Sequence, residues 1–326
     1  MTTPTLSIQN LTVEIPTRHG ILRPVDSVSY DIAPGEILGV VGESGAGKSM
    51  AGNAVIGLLS PPAHIAQGEI HVNGTRVDHL KGEEMRRLRG KHIGMVFQDP
   101  LTSLNPLLQI GDQLTETILA HLDVSRSEAE ERAVQALDEV GIPGAAERIN
   151  SYPHEFSGGM RQRVVIALAL CAEPSLIIAD EPTTALDVSV QAQIIALLKD
   201  LCRQKGTAVM LITHDMGVIA EAADRVAVMY AGKLVELGAV RDVLTAPRHP
   251  YTDGLMGSTP LASRGKDRLH QIPGAMPRLD ALPTGCAFHP RCPLTQEQCK
   301  TNAIPTLADG KGAACWFPLS RGAEVA

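Results

Sequence analysis

No apolar run in these 326 residues approaches the roughly 18 to 20 uncharged positions that a bilayer-spanning helix needs. The longest candidate, residues 164–170, is cut off by Glu173 and Pro174. The chain is therefore expected not to cross a membrane by itself. An excess of positive charge is missing too: 29 basic against 36 acidic residues leave a net charge of −7, and nothing points to a nucleic-acid partner. Residues 1–6 hold neither a basic nor an apolar stretch, so no secretion signal is read there and a cytosolic location is expected. Internal repeats, low-complexity tracts and Cys-x-x-Cys pairs are also absent.

What is present suffices for a large core. A hydrophobic content of 44% over this length suggests one large or two modest domains. Apolar, β-branched runs at 37–41, 93–97, 176–179, 208–213 and 226–230 alternate with helix-like patterns such as 188–202. That rhythm predicts an α/β domain with a largely parallel sheet. From 106 to 172 the strand signal disappears and helices are expected at 111–121, 127–140 and 158–171, which reads as a helical insertion. After about residue 261, Pro273, Pro277 and Pro283 break every periodic pattern, leaving a loop-rich appendage without a core-sized apolar set of its own.

Gly42-Glu43-Ser44-Gly45-Ala46-Gly47-Lys48-Ser49 matches the phosphate-binding P-loop, with an apolar run before it and a helix-like segment, 50–59, after it. Such a loop turns backbone N–H groups toward phosphate oxygens at a helix N-terminus, where the dipole also favours negative charge. Lys48 is expected to reach the β- and γ-phosphates and Ser49 to hold Mg²⁺. Residues 176–181 form an apolar strand ending in Asp180 and Glu181; beside a P-loop, the first would face the metal and the second would polarise a water. Phe156-Ser157-Gly158-Gly159-Met160 opens a helix, with Ser157 as N-cap and glycines that leave the backbone open to a ligand. This is a second phosphate site. Two such sites on one nucleotide make sense when two chains pack head to tail.

The P-loop, Gln98, Ser157-Gly158-Gly159, Asp180-Glu181, Ala185-Leu186-Asp187 and His214, in this order, resemble an ABC ATPase over residues 6 to about 240. The resemblance implies a RecA-like core over 1–260 with an antiparallel β subdomain and a helical subdomain at about 100–173. It implies that Ser157 and Gly159 of the Ser157-Gly158-Gly159 signature face the P-loop of a partner, with all three residues at the nucleotide, that Gln98 senses the γ-phosphate and the membrane subunit, and that His214 contacts the γ-phosphate. ATP and Mg²⁺ are the ligands implied, with Ser49, Gln98 and Asp180 around the metal and Glu181, Gln98 and His214 as the catalytic set. Met160 stands where many relatives have Gln, and Ile15 occupies the position where an aromatic ring usually stacks on adenine; His19 and Tyr30 are the alternatives.

Residues 97–106, 156–163 and 249–252, together with the closing Cys-rich stretch, look like the dipeptide, oligopeptide and nickel importer ATPases. That branch implies import of peptides, nickel chelates or glutathione, and a peripheral place on the cytoplasmic face of the inner membrane. Its partners would be a paralogous ATPase or a second copy, two transmembrane permeases, and a solute-binding protein acting through them. A soluble ABC ATPase without a transporter is the alternative, but neither a coiled-coil insertion nor a second cassette is visible.

Of six cysteines, Cys171 and Cys202 lie in apolar segments, whereas Cys286, Cys292, Cys299 and Cys315 crowd the extension 261–326. Their spacing lacks the pair a zinc ribbon supplies, and zinc, free thiols and an iron–sulfur site all stay open on the residues alone. The family resemblance favours a [4Fe–4S] cluster as a structural staple.

Overall fold

The computed structural model describes residues 3–184, 186–258, 271–307 and 312–320. By its internal contacts the chain divides into two compact units: Met1–Leu6, Ile32–Ile37 and Val72–Leu211 form one, and Ser7–Asp31, Leu38–His71 and Ile212–Ala326 the other. The expected boundary near residue 260 lies outside the described residues.

In the first unit the strands Ala208–Ile212, Leu176–Asp180 and Ile93–Val96 lie side by side in that order. The last two are parallel, with Ile93 opposite Leu176 and Val96 opposite Ala179. All of Ala208–Ile212 and all of Leu176–Asp180 except Asp180 are buried. A parallel strand is covered on both faces, which is why these segments read as unbroken apolar runs rather than alternations.

Between Val96 and Leu176 the described residues hold no strand; Pro100–Ser103, Ile110–His121, Arg126–Glu139, Ala145–Arg148 and Gly158–Leu170 are helical. Ile110, Leu114 and Ile118, four apart and therefore on one face, are fully buried. Ser125 accepts a hydrogen bond from Glu128 N at 3.2 Å and so caps Arg126–Glu139, whose Ala129, Ala133, Ala136 and Leu137 are buried. The helices fall where the spacing predicts them, with ends displaced by a residue or so.

In the second unit the strand order is Gly312–Ala313, Lys233–Ala239, Arg225–Tyr230, Ile37–Val41. The first two pairings are antiparallel and the third is parallel. A separate sheet places Leu6–Thr17 between Gly20–Ile32 and His64–Val72. The Cys-rich tail is loop-rich, as expected, with a 3₁₀ turn at His289–Arg291 and a short helix at Glu297–Thr301. The edge strand Gly312–Ala313 was not legible in the sequence; Ala314 N extends it by donating to Val235 O at 2.8 Å. Among the described residues no helix is long and apolar enough to cross a membrane.

Candidate active site

The loop 42–49 leaves the buried strand Ile37–Val41 and enters the helix Lys48–Val55, with Gly47 as a left-handed N-cap at φ 103°. A Cβ on Gly42, which has φ 152°, would strike the carbonyl oxygen of Met229, and one on Gly47 would strike that of Pro24. Only glycine takes these backbone conformations in the space available. Lys48 is 6% exposed and folds back into the loop, its Nζ donating to the carbonyls of Gly42 at 2.8 Å and Glu43 at 3.1 Å. The loop is thus curled around its own cation, while Ser44, Gly45 and Ser49 stay exposed. A cation held in a glycine-rich loop ahead of a helix N-terminus is the arrangement of a phosphate-binding loop.

Glu43 is held from outside the loop. Its N–H donates to Tyr251 Oη at 2.9 Å, and its two carboxylate oxygens accept from Arg291 Nη1 at 3.0 and 3.1 Å.

Glu181 follows the strand Leu176–Asp180 with φ 47°, a left-handed conformation uncommon in a non-glycine residue and kept only where neighbours over-determine it. Its Oε2 accepts from Gln98 Nε2 at 3.1 Å and from Thr184 Oγ1 at 2.9 Å. The parallel pairing of Ile93–Val96 with Leu176–Asp180 explains the first contact, since both residues stand just beyond the ends of neighbouring strands. Thr184 was missed by the sequence reasoning. Its only signal was the general tendency of Ser and Thr to bond nearby polar groups.

Ser157 caps the helix Gly158–Leu170 as expected, accepting from Met160 N at 3.4 Å. Ser157 and Gly158 are exposed on a turn anchored by buried Phe156. A Cβ on Gly159 would approach Val190 Cγ1 to 2.7 Å, so this glycine allows close packing on the helix Val188–Lys205. Asp187 caps that helix: it accepts from Val190 N at 3.0 Å and Ser189 Oγ at 2.8 Å, bonds that hold its carboxyl below the usual carboxylate range. Ala185 lies outside the described residues. His214 is exposed just past the strand Ala208–Ile212, and Asp215 caps the following helix by accepting from Gly217 N at 2.7 Å. Ile15 is half-buried on Leu6–Thr17, whereas Tyr30 is 4% exposed and belongs to the core. Tyr30 therefore offers no ring to a base.

Residues 25–184 match the sequence profile described as ABC transporter, and residues 235–299 that of the oligopeptide/dipeptide transporter C-terminal region. The dipeptide transport ATP-binding protein DppD of Bacillus subtilis (strain 168) is 49% identical over 319 residues, spanning 97% of this chain and 95% of the relative. The chain belongs to the ABC transporter ATP-binding subunits of the dipeptide and oligopeptide type.

Other members agree. The oligopeptide transport ATP-binding protein OppD of Salmonella typhimurium is 48% identical over 96% of this chain and 94% of its own length. The dipeptide transport protein DppD of Escherichia coli (strain K12) is 43% identical over 96% and 97%. Among solved structures, the ATP-binding cassette MJ0796, in a dimeric post-hydrolysis state bound to ADP and Pi, superposes with a TM-score of 0.65 at 29% identity, covering 72% of this chain and 99% of that one. The fold is the ABC cassette, and the subunit is an ABC-type ATPase whose P-loop suits ATP with Mg²⁺.

The tail of this ABC subunit brings its four cysteines to one place. Cys286, Cys292, Cys299 and Cys315 all line a cavity of about 20 Å³, walled by Phe288, Ile304, Trp316 and Phe317. Burial pushes the Cys286 and Cys292 thiols up, and that of Cys315 to about 11. Yet among the described residues no group of three or more His, Cys, Asp or Glu side chains is arranged to hold a metal ion. The expected iron–sulfur ligation is therefore not supported: as it stands the cavity has room for about one water, not for four irons.

Proposed function

We propose that this subunit clamps ATP between its own P-loop and the Ser157-Gly158-Gly159 turn of a second ATPase, and that the closure drives import of peptides through two membrane permeases. The observation that carries this reading is Glu181, held in a left-handed conformation with its carboxylate on Gln98 and Thr184. This placement supports Glu181 as a water-polarising group, which a nucleotide bound only as a structural ligand would not need. In this reading the P-loop and Lys48 bind the phosphates, and Ser49, Asp180 and Gln98 are the Mg²⁺ ligands. Glu181 orients the attacking water, and His214 contacts the γ-phosphate. Ile15 packs against the base.

Closure does work only because ATP favours the closed pair over the open one, a preference that falls away after cleavage. A paralogous ATPase is the first partner expected, and a second copy of this chain the next. The subunit would sit on the cytoplasmic face of the inner membrane, with a solute-binding protein delivering the peptide from the other side. That the relatives are dipeptide and oligopeptide transport proteins supports peptides over other cargo.

The test is reconstitution. Permeases copurified with the chain and placed in vesicles should show ATP-dependent uptake of di- or oligopeptides that Lys48→Ala abolishes. ATP hydrolysis at full rate by the chain alone, with no copurifying permease, would favour the soluble ATPase instead.

The finer reading of the tail, a [4Fe–4S] cluster held by Cys286, Cys292, Cys299 and Cys315, requires its cavity to open on loading. It rests on the convergence of four thiols. A bound cluster would supply a cross-link to a segment poor in core. Visible charge-transfer absorbance after anaerobic assembly with iron and sulfide, lost in Cys292→Ser, supports it; a colourless parent protein removes it.

A further inference from the structure

Glu43 is a freely variable position of the P-loop motif, and its side chain has no assigned work at the phosphates. Here it is anchored from outside the loop. Its N–H is bound to Tyr251 Oη, its carboxylate to Arg291 Nη1 by two bonds, and its own carbonyl accepts from Lys48 Nζ. Arg291 comes from the Cys-rich tail, 248 residues further on. The same Nη1 reaches Tyr230 Oη at 3.2 Å, and Nε donates to Pro273 O at 2.9 Å.

The arginine side chain is 7% exposed, against 29% for Glu43. A guanidinium so deeply buried is tolerated only when its donors are matched, so its contacts define one geometry rather than a fluctuating pair. Three rings lock the position: Tyr230 lies 4.6 Å from Tyr251 and 5.3 Å from Phe288, and Tyr251 lies 5.4 Å from Phe288, centroid to centroid. The guanidinium carbon is 5.8 Å from the centre of the Tyr230 ring. A second contact supports the same assignment. A Cβ on Gly45 would meet Met276 Cε, also from the tail, at 3.1 Å.

A glycine-rich loop has much backbone freedom to lose, and an anion site works best when its N–H groups are already set. We propose that Arg291 is a positioning residue of the nucleotide site: through Glu43 the C-terminal tail holds the P-loop, and the lysine curled inside it, in the shape that receives the phosphates. The tail thereby acts on nucleotide affinity from the far end of the chain. This rests on the P-loop being the nucleotide site, which Lys48→Ala tests separately.

The experiment measures ADP affinity of the full chain by calorimetry, a readout that needs no partner and no turnover. Arg291→Ala should weaken ADP binding by about 10- to 100-fold, the range expected for losing a charge-assisted hydrogen bond. Arg291→Lys should recover part of the loss, and Glu43→Ala combined with Arg291→Ala should bind no worse than either single variant by more than about twofold. Parental affinity in folded Arg291→Ala, or losses that multiply in the double variant, overturns the proposal. Should Arg291→Ala fail to fold, Glu43→Gln addresses the same bond from the more exposed side, and parental ADP affinity there overturns it equally. ADP binding that is absent even in the parent chain would instead count against the P-loop as the nucleotide site.

Discussion

Gln98 donates its side-chain amide to Oε2 of Glu181 at 3.1 Å, joining two residues 83 positions apart. The contact gives the Glu181 carboxylate, the proposed water-polarising group, a fixed direction, and it ties that direction to the loop that opens the helical segment beginning at Pro100. A change in that loop can therefore be felt at Glu181.

Glu181→Gln should keep nucleotide affinity and lose about 10²-fold or more in turnover, because an amide accepts a water's hydrogen bond but does not take its proton. Steady-state hydrolysis by the assembled transporter, set beside ADP affinity of the chain, checks both halves. Hydrolysis at the parental rate would remove Glu181 from its role.

Thr184→Val keeps the shape of the side chain and deletes the hydroxyl that donates to Glu181 at 2.9 Å. The carboxylate then keeps one of these two anchors, and turnover should fall about 3- to 10-fold, the effect of roughly one hydrogen bond. A change in nucleotide affinity of similar size would show that Thr184 acts on binding rather than on the carboxylate.

Ser157→Ala removes an N-cap, worth about 1 kcal/mol of helix stability. Its larger effect should fall elsewhere. The isolated chain should bind ADP as before, while hydrolysis in the assembled pair should drop at the site this serine completes. Loss of ADP binding by the lone chain would contradict a turn that serves its neighbour.

His249 is 1% exposed, and burial lowers its imidazole to about 4 from an ordinary 6.5. Its Nδ1 accepts from Tyr251 N at 3.1 Å, so the folded state requires the neutral ring. The depressed value means the stabilisation is complete above about pH 6.5 and is lost as pH falls toward 4, by up to about 3 kcal/mol. Thermal unfolding across that range should show the decline, and His249→Asn, which can accept the same bond without titrating, should flatten it. An unchanged slope in the variant would assign the acid sensitivity to other groups.

Much of the site could be read from the chain alone because its parts are local. A P-loop is eight consecutive residues, and its glycines are demanded by backbone conformations that no other residue takes in the space between Met229 and Pro24. The caps at Ser157 and Asp187 each bond an N–H three residues ahead, so pattern and geometry coincide. Buried parallel strands announce themselves as apolar runs, and the helices between Val96 and Leu176 announce themselves by spacing. The thiol cluster was legible as four cysteines but not as a binding site, since whether thiols can share a metal depends on distances no spacing encodes.

Sequence by itself determined the fold class, the phosphate loop, the paired carboxylates and the capped signature turn, because each is set by short-range stereochemistry. Only the tertiary structure decided that Gln98 and Thr184 aim Glu181, that Tyr30 is core, and that Arg291 of the tail grips Glu43. The contacts of Gln98 and Arg291 link distant parts of the chain and exist only once strand order and aromatic packing have brought the partners within bonding distance, that of Thr184 depends on the turn that follows the strand, and Tyr30 turns on burial.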